Sequence, residues 1–513
     1  MDHMPRPAVD PAVLRGCSGP WDAVVVGSGP NGLLGALTLA RRGMQVLVLE
    51  AEATPGGGAR TLDLGLADGV VHDVCSAVHP LALASPAIGA QWLRARGVDM
   101  IAPEASYAHP LDGGRAAVAM RSAAATGDLI GGRRGRVWAD VFSSLAAHGP
   151  DVMALMLGTA EQRLRAITSP TGARTAALLG RAAALADRSV RSGDDAGALL
   201  AGVGAHAISP LSSPTAIGTA VLLGSLAHTG GWPIPRGGSQ SLVTAWIAEL
   251  SELGGSVVTH APVTSLDQLP PSRVVLLDLP APSAGRLLAP WARSAASRRL
   301  TRRLQVFPPS AGAAAKADLV LSGPIPWAAA QQAPGIARAG TVHLGGSATL
   351  INTAEREVAE GRLPEAPVVL VSDPAGADPS REVRGLRPVW AYAHVPLGCP
   401  VDPVPLVLAQ LERFAPGVRD LVVAARGVPA SRMTGHNRSL TGGDIAGGST
   451  ALPHLGARPF LATDPHHLAT LPGWAPGGED AEVLLCSASS APGPGVHGLG
   501  GQAAARSALA RLA

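Results

Sequence analysis

The sequence predicts an α/β fold in which a discontinuous Rossmann-like dinucleotide-binding domain carries an inserted α+β domain and a helical lobe. Three observations predict it. A strand, a glycine loop, a helix and a second strand follow one another between Ala23 and Glu50. An Ala/Leu/Arg-rich helical stretch then interrupts this pattern, and strand-then-helix text returns between Glu482 and Leu512.

Taken in order, residues 1–20 read as an irregular lead-in, because Met1 to Pro20 is proline-rich and lacks periodicity. The first part of the dinucleotide-type domain, 21–105, opens with the buried-strand run Ala23-Val24-Val25-Val26. Helical text from Asn31 to Arg42 and a second strand from Gln45 to Leu49 complete a βαβ unit. Residues 106–230 form the helical lobe of the substrate region: the text is mostly helical from Asp140 to Asp195, breaks at Ser169-Pro170 and Ser192-Gly193, and stays helical from Ala196 to His228. The second part of the domain, 231–295, has a turn at Pro235-Arg236-Gly237-Gly238, a helix from Ser239 to Leu253, and strands at Ser256 to Thr259 and Arg273 to Leu279. Residues 296–435 alternate strand-like runs (Ala317 to Leu321, Thr341 to Leu344, Val368 to Val371) with turns, as the sheet of a substrate domain would. The third part, 436–513, closes the first domain with a strand from Glu482 to Ser487, a Gly/Pro loop from Ala491 to Gly495 and a helix from Leu499 to Leu512.

Composition excludes several function classes. A chain of 513 residues with 47% hydrophobic and only 15% charged side chains is a multidomain globular protein and not a disordered one. Its 41 basic and 38 acidic residues are interspersed, so no nucleic-acid footprint emerges. Cys17, Cys75, Cys399 and Cys486 lie far apart with no CxxC, which excludes a dithiol couple and a cysteine zinc site and fits a reducing cytoplasm. No HExxH or acid cluster suggests a metal, and no GxSxG suggests a serine hydrolase. With no apolar run of about 18 residues and no signal-peptide core, the expectation is a cytoplasmic protein without a membrane span, whose apolar tilt leaves room for peripheral membrane contact.

The chemistry-bearing motif is Gly27-Ser28-Gly29-Pro30-Asn31-Gly32, a GxGxxG placed after a strand and before a helix. Its glycines permit a tight turn, close approach of a pyrophosphate, and close packing of helix on strand, while the helix N-terminus offers amide donors to phosphates. Glu50 ends the second strand, where a carboxylate accepts hydrogen bonds from ribose hydroxyls and disfavours a 2′-phosphate. A second glycine loop, Pro55-Gly56-Gly57-Gly58-Ala59-Arg60-Thr61, closes on the same pyrophosphate, with Arg60 supplying a charge-assisted contact. At the other end, Gly495-Val496-His497-Gly498-Leu499-Gly500-Gly501 leads into the last helix, whose N-terminus suits developing negative charge on a cofactor ring. Gly493, Gly495 and Gly498 also spell GxGxxG, but too few residues follow for a βαβ unit. The run Gly202-Val203-Gly204-Ala205-His206-Ala207 is a similar decoy, since Ser209-Pro210 interrupts any following helix.

These runs, together with Pro235-Arg236-Gly237-Gly238-Ser239, resemble the phytoene-desaturase-related FAD flavoproteins of the amine-oxidase superfamily, from about Trp21 to the C-terminus. His72-Asp73-Val74-Cys75-Ser76-Ala77-Val78-His79-Pro80, Gly231-Trp232-Pro233-Ile234-Pro235 and Trp390-Ala391-Tyr392-Ala393-His394-Val395-Pro396 resemble the phytoene dehydrogenase-like branch in particular. The resemblance implies an extended FAD held by Gly27, Ser28, Gly29, Pro30, Asn31, Gly32, Glu50 and Ala51, by Gly57, Gly58, Ala59 and Arg60, and by Gly498, Leu499 and Gly500. Val263 would meet the adenine through its backbone. The chain departs from the superfamily where Gly58 replaces an arginine that often follows the glycine pair. Its 15 aromatic residues, nine Trp, two Tyr and four Phe, give no pair matching an amine oxidase's substrate cage.

Lys316 is the only lysine, the other 40 of the 41 basic residues being arginine. Its position resembles that of the lysine which, in flavin amine oxidases, holds a water near flavin N5, and an ammonium is a compact charge that a guanidinium cannot imitate. The competing reading is an ordinary surface or strand-edge lysine. His79, His394, His436 and His497 are candidates to line a flavin pocket, against the plainer reading of satisfied core histidines; His466-His467 reads as a solvated turn. Lys316, His79 and His394 are the candidate catalytic residues. The expected activity is FAD-dependent dehydrogenation or desaturation of an apolar small molecule by hydride transfer to flavin N5, with oxygen, a quinone or another carrier as electron acceptor. An oxidase of an amine or another tailoring substrate, a redox-neutral flavin isomerase and a non-enzymatic FAD-stabilised interaction protein stay open beside it.

Overall fold

The structure, a computed structural model, describes residues 19–455 and 458–513, so nearly all of the lead-in falls outside the described residues. Six strands form the first sheet, in the order His467–Leu471, Ala481–Leu485, Val274–Leu277, Ala23–Val26, Val46–Leu49 and Ser256–Val258. All neighbours are parallel except the outermost pair, His467–Leu471 with Ala481–Leu485. The inner strands are short Val/Leu runs because both faces are covered, as in parallel sheets generally. Ala23, Val25, Val46 and Val48 face the helices Pro30–Ala40, Gln240–Glu252 and Leu499–Leu512. Val24, Val26, Leu47 and Leu49 face Ala281–Leu288 and Ala295–Gln305. Strands separated by more than 200 residues in sequence thus build one sheet, and the mixed α/β, Rossmann-like architecture read from the sequence is present.

His466-His467 is not a solvated turn. His467 opens the edge strand and pairs with Glu482 at 2.7 Å, and His466 is buried with Nδ1 2.9 Å from the Leu485 carbonyl. The pair sits where the last buried strand needs a polar edge partner, which local composition does not reveal.

The second sheet has seven strands in the order Val422–Val428, Gly312–Leu321, Arg387–Pro396, Val369–Ser372, Thr341–Leu344, Ala105–Leu111 and Arg115–Met120. Only the Thr341–Leu344 and Ala105–Leu111 pairing is parallel. The hairpin from Ala105 to Met120, read from sequence as part of the helical lobe, completes this sheet. Ala295–Gln305, read as the start of the substrate domain, packs on the first sheet through Leu304. The strand Gly312–Leu321 is longer than the expected Ala317 to Leu321, because tertiary pairing with Arg387–Pro396 recruits alanines of low intrinsic strand preference. Seven helices between Ala123 and Thr229 make the lobe. Its breaks are built by capping: Ser169 and Asp194 accept from Gly172 and Gly197, and Pro170 begins its helix. No helix among the described residues is long and apolar enough to cross a membrane.

Candidate functional site

One cavity of ≈ 1540 Å³ runs from the first glycine loop to the second sheet and the helical lobe. At the first end, Ala23–Val26 delivers Gly27 at φ +100°, a conformation that favours glycine, and a Cβ there would lie 2.8 Å from the Asp278 carbonyl. Pro30 then starts the helix Pro30–Ala40, which has no side-chain cap of its own; the Gly32 amide is met by Asp278 Oδ2 at 3.0 Å. The second glycine loop closes against the first: a Cβ on Gly57 would lie 2.9 Å from Gly29 Cα. Ser28 ties the two loops to the second strand, its hydroxyl accepting from the Gly56 amide at 3.0 Å and donating to Glu50 at 2.5 Å. Glu50 also accepts from the amides of Ser28 and Glu52, at 3.0 and 2.9 Å. Arg60 is buried, held by the carbonyls of Gly57 and His436 at 2.8 and 3.0 Å, and reaches the cavity.

The far wall is one face of the seven-stranded sheet. Successive strand residues point to opposite faces, so Ala313, Ala315 and Ala317 pack into the core with Val389, Ala391 and Ala393, while Ala314, Lys316, Trp390 and Tyr392 line the cavity. Lys316 lies directly across from Tyr392. Its side chain, 2% exposed, forms an ion pair through Nζ with Oδ1 of Asp318 two residues along the same strand, and the other oxygen, Oδ2, has no hydrogen-bond partner. Trp390 and Tyr392 meet edge to face at 5.1 Å. His206 enters from the lobe, its Nε2 2.8 Å from His343 Nε2 and its ring edge-on to Trp232 at 5.4 Å. Burial pushes the His206 pKa down to about 3, with His394 adding to the effect, so the pair is neutral at ordinary pH. Leu155, Met156, Leu157, Leu222 and Leu223 make the lobe side apolar.

His79 lines the cavity with Nε2 2.8 Å from Ser239 Oγ, and burial lowers its pKa to about 4 although Asp73 opposes this. His394 does not line the cavity; it sits behind Tyr392 at 5.5 Å, its Nδ1 2.5 Å from buried Glu355 Oε1. His436 and His497 are likewise set back, on the Val74 carbonyl and the Leu499 amide.

Among the cofactor candidates, Gly27, Ser28, Gly29, Pro30, Asn31, Glu50, Ala51, Gly57, Gly58, Arg60 and Val263 line the cavity. Ala59 and Gly32 lie just behind it, where a Cβ on Gly32 would lie 2.2 Å from the Gly27 carbonyl. Gly498, Leu499 and Gly500 do not reach it. A Cβ on Gly498 would strike Leu34 at 2.5 Å, so Gly498 lets the start of the last helix pack on Pro30–Ala40, and one on Gly500 would strike the Cys486 carbonyl at 2.8 Å, at the end of the strand Ala481–Leu485. The Leu499 amide, expected to face a cofactor ring, is spent on His497 Nδ1 at 3.0 Å. Sequence reading missed Asp278, Asp318, Glu355 and His206. The i, i+2 pattern Lys316-x-Asp318 is a signal the sequence offers, whereas His206 follows a glycine run that reads as a decoy and that the structure places in the helix Asp195–Gly204. Among the described residues, no three His, Cys, Asp or Glu side chains gather as metal ligands.

A family model described as an NAD(P)-binding Rossmann-like domain matches residues 25–88. Across the whole chain, the fold is that of flavin amine oxidase-like structures. Wild-type putrescine oxidase bound to putrescine is similar at 17% identity and a TM-score of 0.54, over 96% of this chain and 99% of that one. An oxidoreductase from Methanosarcina mazei gives 15% and 0.53, over 95% and 99%. Cyclohexylamine oxidase from Brevibacterium oxydans gives 14% and 0.52, over 96% and 100%. No curated protein matches the sequence.

Proposed function

We propose that this chain is an FAD-dependent oxidoreductase of the phytoene dehydrogenase-like branch that dehydrogenates or desaturates an apolar small molecule. The observation that carries the reading is the continuity of a single cavity from the glycine cradle and Glu50 to an apolar, aromatic chamber at Lys316. The residues present fit a dinucleotide. The cradle has no room for side chains at Gly27, Gly29, Gly32 or Gly57, Asn31 Oδ1 is buried with no partner, and Arg60 carries its charge to the cavity on backbone contacts. Gly27 to Asn31, Glu50, Ala51, Gly57, Gly58, Arg60 and Val263 would hold FAD, and bound FAD supplies a hydride acceptor.

The protein's own groups do the rest. The lobe leucines and Met156 exclude water from an apolar substrate, and Trp390 and Tyr392 wall it. Asp318 pairs with Lys316 in the buried wall and holds its side chain at the sheet end of the cavity. His79, neutral near pH 7, orients by hydrogen bonding and does not act as a charge. His394 acts through Tyr392, as a positioning residue supported by Glu355. Oxygen, a quinone or another carrier takes the electrons. A second reading, an amine oxidase, is favoured by Trp232, Trp390 and Tyr392, which bring aromatic walls to the Lys316 end despite the low aromatic content.

The test is the visible spectrum of the purified protein and the nucleotide released on denaturation. Yellow protein releasing FAD is expected. Colourless protein that takes up no added FAD overturns the reading, and uptake of NAD(P) in its place would make the chain a nicotinamide dehydrogenase.

A further inference from the structure

The Rossmann cradle already contains a carboxyl group. Asp278 follows the strand Val274–Leu277, its amide bonded to the Val26 carbonyl at 2.9 Å, so its side chain projects across the end of the neighbouring strand Ala23–Val26. There Oδ2 accepts from the Gly32 amide at 3.0 Å, in the first turn of Pro30–Ala40. It also packs so closely on the loop that a Cβ on Gly29 would sit 2.5 Å from Oδ2 and one on Gly32 3.0 Å. Two of the motif's three glycines therefore face this carboxyl group. The amides and partial positive charge that a helix start offers to a phosphate are directed at an internal carboxylate lining the same cavity.

A dinucleotide's pyrophosphate brings two negative charges to this place. The groups facing Asp278 do not neutralise it. Glu50, from the end of the second strand, repels it; the thiol of Cys486, from the end of Ala481–Leu485, is itself pushed upward by burial and by Asp278; and the amides of Gly32 and Gly29 favour the charged form. Resting on the dinucleotide-binding reading above, we infer that Asp278 takes up a proton when the dinucleotide binds, so that the phosphates meet a neutral carboxylic acid at the helix start. The proton comes from solvent and the carboxylate becomes a hydrogen-bond donor; no other bond changes. In the free protein the group is already close to this state, burial having raised its pKa to about 7 with Glu50 adding to the shift.

Cofactor affinity is then a function of pH. Linkage requires the association constant to fall with pH by one decade per unit for each proton taken up. For the apoprotein titrated with FAD, calorimetry in buffers of different ionisation enthalpy should count about one proton taken up near pH 8, and Kd should rise about tenfold between pH 8 and 9. Asp278→Asn, which keeps the shape, should bind FAD with no such uptake and a flat profile, and Asp278→Ser should agree. Parent protein that binds FAD without proton uptake, or an Asn variant that keeps the slope, overturns this inference and leaves the FAD reading intact. If neither parent nor variant binds FAD at any pH, the functional reading itself falls and this inference with it.

Discussion

At the cradle end of the cavity the working groups are backbone amides, glycine surfaces and Glu50, drawn largely from residues adjacent in sequence. At the sheet end they are side chains two apart on strands whose partners lie 70 or more positions away, such as Lys316 and Tyr392. The two ends also solve their electrostatics differently. The cradle keeps a carboxyl group close to neutral, Asp278, whereas the sheet end combines a buried ion pair, Lys316 and Asp318, with histidines stripped of charge. A site made of backbone can be read as a motif, because its geometry is local. A site made of alternating side chains needs the register.

The largest expected effect separates the two ends by pH. Burial lowers the pKa of His109, His228, His79 and His497 to about 4 and of His206 to about 3. From the usual value of about 6.5 down to 4, the unfolded chain therefore binds more protons than the folded one, and stability is lost as pH falls through that window. Asp278 works in the opposite direction: raised from 3.8 to about 7, it favours the fold at low pH and loses that contribution as pH rises through 7. Asp373 and Asp444 are raised as well, but His72, His343, His436 and His466 join the five histidines and outweigh these carboxyls, so the denaturant midpoint should drop steeply between pH 6.5 and 4.5. A flat midpoint over that range would show that these imidazoles are not buried as neutral groups.

Next in size is the buried ion pair. Lys316→Met removes a cation and strands the Asp318 carboxylate, and breaking a buried pair in this way costs about 3–5 kcal/mol. Lys316→Met combined with Asp318→Asn leaves no orphan charge and should recover most of that loss in urea unfolding; equal destabilisation of the single and double variants would argue against the pair. The double variant also isolates the ammonium's chemical role. If the charge helps re-oxidation, photoreduced holoprotein should react with oxygen about tenfold more slowly, corresponding to ~1.4 kcal/mol in the barrier.

Both ends were partly legible. The Gly27 to Glu50 unit and most strands of the first sheet could be read directly, since tight turns and doubly buried strands have strong local signatures. The lysine stands out by being the only one, but the i, i+2 spacing of Asp318 becomes a pairing only once the strand is known to begin at Gly312 and not Ala317. His394 had the right neighbours in sequence and the wrong depth: alternation places it on the same face as Tyr392, and the Glu355 contact then draws it behind that ring. Gly498 and Gly500, expected at the cofactor, lie outside the cavity for the opposite reason. Glycine signals close approach without saying to what, and here the last helix approaches Leu34 of a neighbouring helix at Gly498 and the Cys486 carbonyl beyond a strand at Gly500.

The smallest effect sharpens the cradle. Glu50 spends one oxygen on the Ser28 amide and hydroxyl and the other on the Glu52 amide, so it braces the loops, and under the proposed function it is also the acceptor for a ribose. Glu50→Ala should cost about 1.5–3 kcal/mol of FAD binding, the range for hydrogen bonds to a charged group. Glu50→Gln preserves one carbonyl acceptor and much of the shape, so it should fall between parent and Ala in affinity. The bracing role has its own readout: Ser28 would lose its acceptor in the Ala variant, and the amide of Gly56, which rests on the Ser28 hydroxyl, should exchange faster with solvent in the cofactor-free protein. Faster Gly56 exchange with unchanged FAD affinity would make Glu50 a brace alone. Unchanged exchange with weakened affinity would make it a ribose acceptor alone. Parent-like values for both would remove Glu50 from the site.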